Sequence, residues 1–135
     1  MNYVAQKHSL GCLIAAGAMV FDLSYDRAGW FIPLPREEDL IDGSVNEITE
    51  LSVSRLQSLS NLSGKVMSAP DGPPFDLKEG CRYIAWLETD RPNFLHSVAV
   101  DEAGIVFDPD SDNQDVRKHW TEYSIKVVLE FRPIE

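Results

Sequence analysis

Apolar and polar positions divide this chain into two parts. From Cys12 to Phe21 the sequence Cys-Leu-Ile-Ala-Ala-Gly-Ala-Met-Val-Phe is apolar on every face, the pattern of a helix enclosed by protein on all sides. The spacing predicts a buried central helix. Its small residues Ala15, Ala16, Gly17 and Ala18 let other groups approach closely, and Gly17 costs about 1 kcal/mol of helix propensity relative to alanine. Tertiary packing must therefore hold it. Ser24 caps a short turn through Ala28, and Pro33 and Pro35 stop further helix, so residues 31 to 43 read as connector. Leu51, Leu56 and Leu59, with Glu50, Ser54 and Gln57 between them, predict an amphipathic helix over about 46 to 60. Residues 63 to 80, rich in Gly, Pro, Ser and Asp, read as a loop.

The final third is strand-like. Arg82–Glu88, Phe94–Val100, Ile105–Phe107 and Tyr123–Phe131 are short, apolar and rich in β-branched and aromatic residues. Asp101-Glu-Ala-Gly104 predicts a tight turn with Gly104 left-handed, which joins the second and third of these strands as a hairpin. Helices first and strands afterwards, without a βαβ rhythm, predict a single α+β domain over 1–135 with its helices against a mainly antiparallel sheet.

Composition narrows the partners. The chain has 135 residues, 44% hydrophobic and 25% charged, enough to build one core. With 12 basic and 22 acidic residues, its formal charge is −10, so the field that attracts nucleic acid or an anionic membrane is absent. Two widely separated cysteines, Cys12 and Cys81, provide neither a disulfide scaffold nor a structural zinc site and fit a reducing compartment. A cytoplasmic location is expected, with secretion or delivery as an effector as the alternative. The apolar run Leu10 to Phe21 is too short to span a bilayer; it imitates the core of a signal peptide but is read as folded structure.

Chemistry gathers on a few positions. Cys12 stands at the start of the buried helix, where amide donors and the macrodipole favour thiolate. A free cysteine is by itself more often a small buried hydrophobe. His96 lies in the predicted strand 94–100, and the turn at 101–104 brings Asp108 back to its level, so that imidazole and carboxylate can touch. A carboxylate fixes the histidine tautomer and stabilises its cation, which lets the ring move a thiol proton. The Gln6 side-chain amide can join the Cys12 backbone amide in holding an oxyanion.

Gln6, Gly11-Cys12-Leu-Ile-Ala15-Ala16, Ala18-Met19-Val20, His96-Ser-Val-Ala-Val100 and Phe107-Asp108-Pro109 together resemble papain-like cysteine peptidases, especially the compact branch akin to bacteriocin-leader peptidases. The resemblance implies a papain-like fold, with Cys12 as nucleophile, His96 as general base and acid, Asp108 as orienter and Gln6 as oxyanion donor. It spans about residues 6 to 30 and 82 to 110. Leu13 departs from the glycine that many relatives carry after the nucleophile.

Other groups read as background. His8 is expected in a loop, His119 at the surface, and Cys81 as a structural or incidental thiol. Trp30, Trp86, Trp120, Tyr83 and Phe107 are expected to line the core and cleft. In the acidic run Asp108, Asp110, Asp112, Asp115, Asn113 replaces the turn glycine of a calcium loop and His119 its bidentate glutamate. It reads as a solvated loop, and neither metal nor cofactor is expected. The expectation is a thiol hydrolase acting on an amide bond of a peptide or protein, with isopeptidase, deamidase and acyltransferase chemistry as variants. The alternative is a non-catalytic acidic binding, inhibitor or immunity-type protein on the same scaffold, able to steer a basic partner.

Overall fold

The computed structural model describes residues 1–36, 50–90, 95–110 and 117–134. Helix α1 runs over Cys12–Phe21 and every one of its residues is buried. A Cβ added at Gly17 would lie 2.5 Å from the Ile32 side chain, so the glycine that weakens the isolated helix is the one that lets the chain after it fold back over it. Ser24 caps α2 (Tyr25–Ala28) by accepting from the Arg27 amide at 3.2 Å, as the sequence predicts.

The next helix, α3, spans Glu50–Leu62; positions 46–49 of the expected helix lie outside the described residues, as does most of the connector. Its buried face differs from the expected one. Leu51 is 52% exposed, whereas Ser52, Leu56, Leu59 and Ser60 are buried, an i, i+4, i+7, i+8 stripe. Serine can occupy it because Ser60 Oγ donates to the Lys65 carbonyl at 2.9 Å, which removes the cost of burying a lone hydroxyl.

Among the described residues five strands follow: β1 (Lys65–Ser68), β2 (Arg82–Glu88), β3 (Leu95–Val100), β4 (Val106–Phe107) and β5 (Ile125–Pro133). They form one antiparallel sheet in the order β1-β5-β2-β3-β4. Strand β1 corrects the expectation of an uninterrupted loop over 63–80. It is a four-residue edge strand paired with β5 alone, and its Lys-Val-Met-Ser sequence carries no local signal strong enough to stand out. The hairpin turn forms as expected: Gly104 has φ 82° and its amide donates to the Asp101 carbonyl at 3.0 Å.

Alternation along the strands creates two apolar layers. Ile84, Trp86, Ala99, Phe107, Leu129 and Phe131 face α1 and the other helices, while Tyr83, Ala85, Val98, Val100 and Val106 pack on the far face with Leu77. Trp30 belongs to neither. It is 71% exposed, with the Arg27 guanidinium 5.5 Å from its ring centroid, which corrects the expected core position.

One side chain ties sheet to helix. Arg82, at the start of β2, donates to the Val20 carbonyl at 3.0 Å and to Met19 at 3.4 Å, and it pairs with Asp22 and Glu102. It thus satisfies carbonyls in the last turn of α1 and puts positive charge at the negative end of the helix. Burial opposes its charge, but Glu102 and Asp22 outweigh that and hold its pKa above the ordinary value.

Candidate active site

The site is assembled at the amino end of α1. Gly11 is the N-cap residue, and among the described residues no side chain caps the helix there. Gly11 has no room for a side chain: a Cβ would meet the Tyr25 hydroxyl at 2.0 Å. That hydroxyl shares a 2.8 Å hydrogen bond with His8 Nδ1. The carbonyl of His8 accepts from the Gly11 amide at 3.0 Å and from Gln6 Nε2 at 3.0 Å. Tyr25 and His8 therefore brace the turn that delivers the cysteine, a role for which two residues so far apart in sequence give no local signal.

Cys12 is fully buried. Its sulfur accepts the backbone amide of Ser97 at 3.4 Å. That nitrogen is bonded to the His96 carbonyl carbon, so the sulfur lies within ~6 Å of the His96 Cα. The strand carrying the imidazole thus passes directly over the mouth of the helix.

His96 Nε2 and Asp108 Oδ1 are 2.6 Å apart, with side chains 20% and 13% exposed. The hairpin does what its turn predicts and brings the carboxylate to the imidazole. The same oxygen accepts the Asp110 amide at 2.9 Å, which fixes its direction. A neutral His96 then carries its hydrogen on Nε2 and its lone pair on Nδ1.

Gln6 is anchored differently from the sequence expectation. Both of its amide hydrogens point to carbonyls, His8 at 3.0 Å and Ser9 at 3.2 Å. Its Oε1 is buried and accepts no hydrogen bond among the described residues. Its backbone amide donates to the Pro109 carbonyl at 2.9 Å, which joins the amino-terminal segment to the residue after Asp108. Gln6 thus holds the loop before Cys12.

His8 lies in a loop as expected, and its ring, though the residue is exposed, is engaged with Tyr25. His119 is not a plain surface residue. It is half-buried, pairs with Ile105 through an isolated bridge and caps the 3-10 turn Trp120–Glu122. Cys81 is a partly buried free thiol at the edge of the far layer. Asp112, Asn113 and Asp115 of the acidic run lie outside the described residues. Among the described residues no helix is long and apolar enough to cross a membrane.

The whole chain can be compared with a solved structure. It superposes with a TM-score of 0.63 and 14% identity on the peptidase domain of Streptococcus ComA, a bi-functional ABC transporter involved in a quorum-sensing pathway, over 98% of this chain and 100% of that one. The chain shares the α+β, papain-like fold of that domain. No family pattern and no curated protein sequence matches the chain. Within this fold the helix of Cys12 and the strand of His96 are joined by the Ser97 amide.

Proposed function

We propose that the protein is a papain-like cysteine peptidase. The observation that carries this reading is the contact of the Cys12 sulfur with the amide next to His96, a histidine whose Nε2 is held by Asp108. In the proposed reaction, His96 Nδ1 takes the Cys12 proton and the thiolate attacks the scissile carbonyl carbon. The oxyanion forms among first-turn amides of α1, with Gln6 Nε2 joining once it lets go of a carbonyl. As the C–N bond breaks, His96 returns the proton to the leaving amine. Water, deprotonated by His96, then cleaves the thioester, releasing the acid and restoring the thiol. Peptide hydrolysis leads among the outcomes open to such an intermediate, because isopeptide cleavage, deamidation and transfer to an amine differ only in leaving group or acceptor.

One observation favours a second reading, an acidic binding protein on the same scaffold. Both Gln6 amide hydrogens are used to hold the chain, so its donor role needs a rearrangement. Alkylation by iodoacetamide across pH separates the two. The peptidase reading expects Cys12 to be labelled well below pH 8, ahead of Cys81, with the preference lost in His96→Ala. Labelling of Cys12 only near the ordinary thiol pKa, indifferent to His96, supports the binding protein.

A further inference from the structure

On the sheet face away from α1 lies a hollow of about 280 Å³, walled by Pro73, Pro74, Phe75, Trp120, Tyr123 and Ile125. Its position relative to the dyad follows from register. Ile125 of β5 stands opposite Leu87 of β2, and Leu87 stands opposite His96 of β3, so the three form one row across the sheet. At about 4.8 Å between strands, Ile125 lies about 10 Å from His96, the span of about three residues of extended peptide. Leu87, Ile125, Tyr123, Trp120 and Phe75 all flank the far apolar layer, and Tyr123 is close enough to Asp108 to feel its charge.

We propose that this hollow receives a basic side chain, arginine or lysine, of the peptide that Cys12 cleaves, an inference that rests on the peptidase reading above. Three aromatic side chains, Phe75, Trp120 and Tyr123, line the hollow, a composition that suits a cation, and the proline walls suit the methylene stem of a long side chain. No lysine or arginine is among the described residues that line the hollow. Lys126, next in sequence to Ile125, is already paired with Glu88 at 3.1 Å. The Tyr123 phenol is pushed up by burial and then by the carboxylates of Asp108 and Glu122, so the field at this wall is negative. A carboxylate-bearing side chain is repelled there, and a neutral one gains nothing from that field. The net charge of −10 extends the same preference outward to a basic peptide.

The test compares arginine with citrulline, which has nearly the same shape and no charge. Wild-type protein is given peptide libraries carrying arginine, lysine, citrulline, norleucine or phenylalanine at each of four positions on either side of the cleaved bond. The expected result is a preference for arginine over citrulline of about tenfold at one position, falling toward unity in Glu122→Gln and in high salt. In parallel, Cys12→Ala protein is titrated with acetyl-arginine amide and acetyl-citrulline amide while the Trp120 and Tyr123 resonances are followed. Cleavage without that preference, or with norleucine or phenylalanine preferred, overturns the assignment while leaving the peptidase standing. If no peptide is cleaved but the arginine amide alone shifts both resonances, the hollow keeps its ligand class and the peptidase reading fails. Absence of both cleavage and shifts overturns the assignment.

Discussion

The amide of Ser97 sits 3.4 Å from the sulfur of Cys12. Helix and sheet thus meet where the proposed nucleophile and base have to be neighbours, and the sulfur's partner there is a backbone amide. It survives any substitution of the histidine side chain. His96→Ala therefore removes the base without moving the sulfur, and thiol reactivity in that variant reports chemistry separately from folding.

Asp108→Asn is expected to keep the fold and lose the reaction. An asparagine oxygen can keep both the Asp110 amide and His96 Nε2, which share one carboxylate oxygen in the structure, but it lacks the charge that stabilises an imidazolium. By the scale known for Ser-His-Asp triads, kcat falls by about 10²- to 10⁴-fold. Steady-state kinetics alongside a melting curve checks this; full activity in the variant removes Asp108 from the mechanism.

Gly11→Ala is expected to be costly because its new Cβ meets the Tyr25 hydroxyl at 2.0 Å. Overpacking of this kind costs about 1–3 kcal/mol. Tyr25→Phe deletes the colliding oxygen, so the double variant should recover part of the loss despite giving up the bond to His8. Denaturant unfolding of the four proteins in the cycle measures the coupling. Simple additivity would mean that the hydroxyl does not fill the space at Gly11.

Alkali should weaken the fold through Tyr83. Its hydroxyl donates to Glu130 at 2.9 Å and accepts the Lys78 amide at 2.7 Å. Burial first, with Glu130 adding to it, raises the phenol well above its ordinary value. A folded-state pKa above the unfolded one stabilises fully below the unfolded pKa of about 10 and less as pH climbs beyond it. The melting temperature should therefore drop above about pH 10. Tyr83→Phe flattens part of that slope, the remainder coming from Tyr123, whose pKa is also raised. At neutral pH the same variant loses about 1–3 kcal/mol, since Glu130 is left buried with one partner fewer.

Arg82→Ala is expected to loosen α1 at the end opposite the cysteine. It strips charged donors from the Met19 and Val20 carbonyls, a loss of about 1.5–3 kcal/mol. Arg82→Lys should recover only part, because an ammonium keeps the charge and lacks the fork that reaches two carbonyls and two carboxylates at once. The Glu102 carboxyl is held below its usual range by Arg82, against the effect of burial. Its contribution is present above the unfolded carboxyl pKa and fades as pH falls, so acid and Arg82→Ala should not add.

Elements whose pattern is local could be read before folding. Helix α1 is apolar on every face, β2 matches its expected bounds, and the 101–104 turn correctly forecast the meeting of His96 with Asp108. What escaped depended on distant partners. Strand β1 exists because β5 offers an edge to it. The stripe on α3 tolerates serines because a carbonyl from β1 receives Ser60. Tyr25 and His8 matter through a glycine's missing side chain. The Gln6 donors follow the loop carbonyls at 8 and 9, whose directions no spacing in sequence reveals.

The link from the Gln6 amide to the Pro109 carbonyl closes a loop of chain around both halves of the proposed reaction centre. Tension on the first few residues is passed to the acid's neighbour as directly as to the thiol's helix.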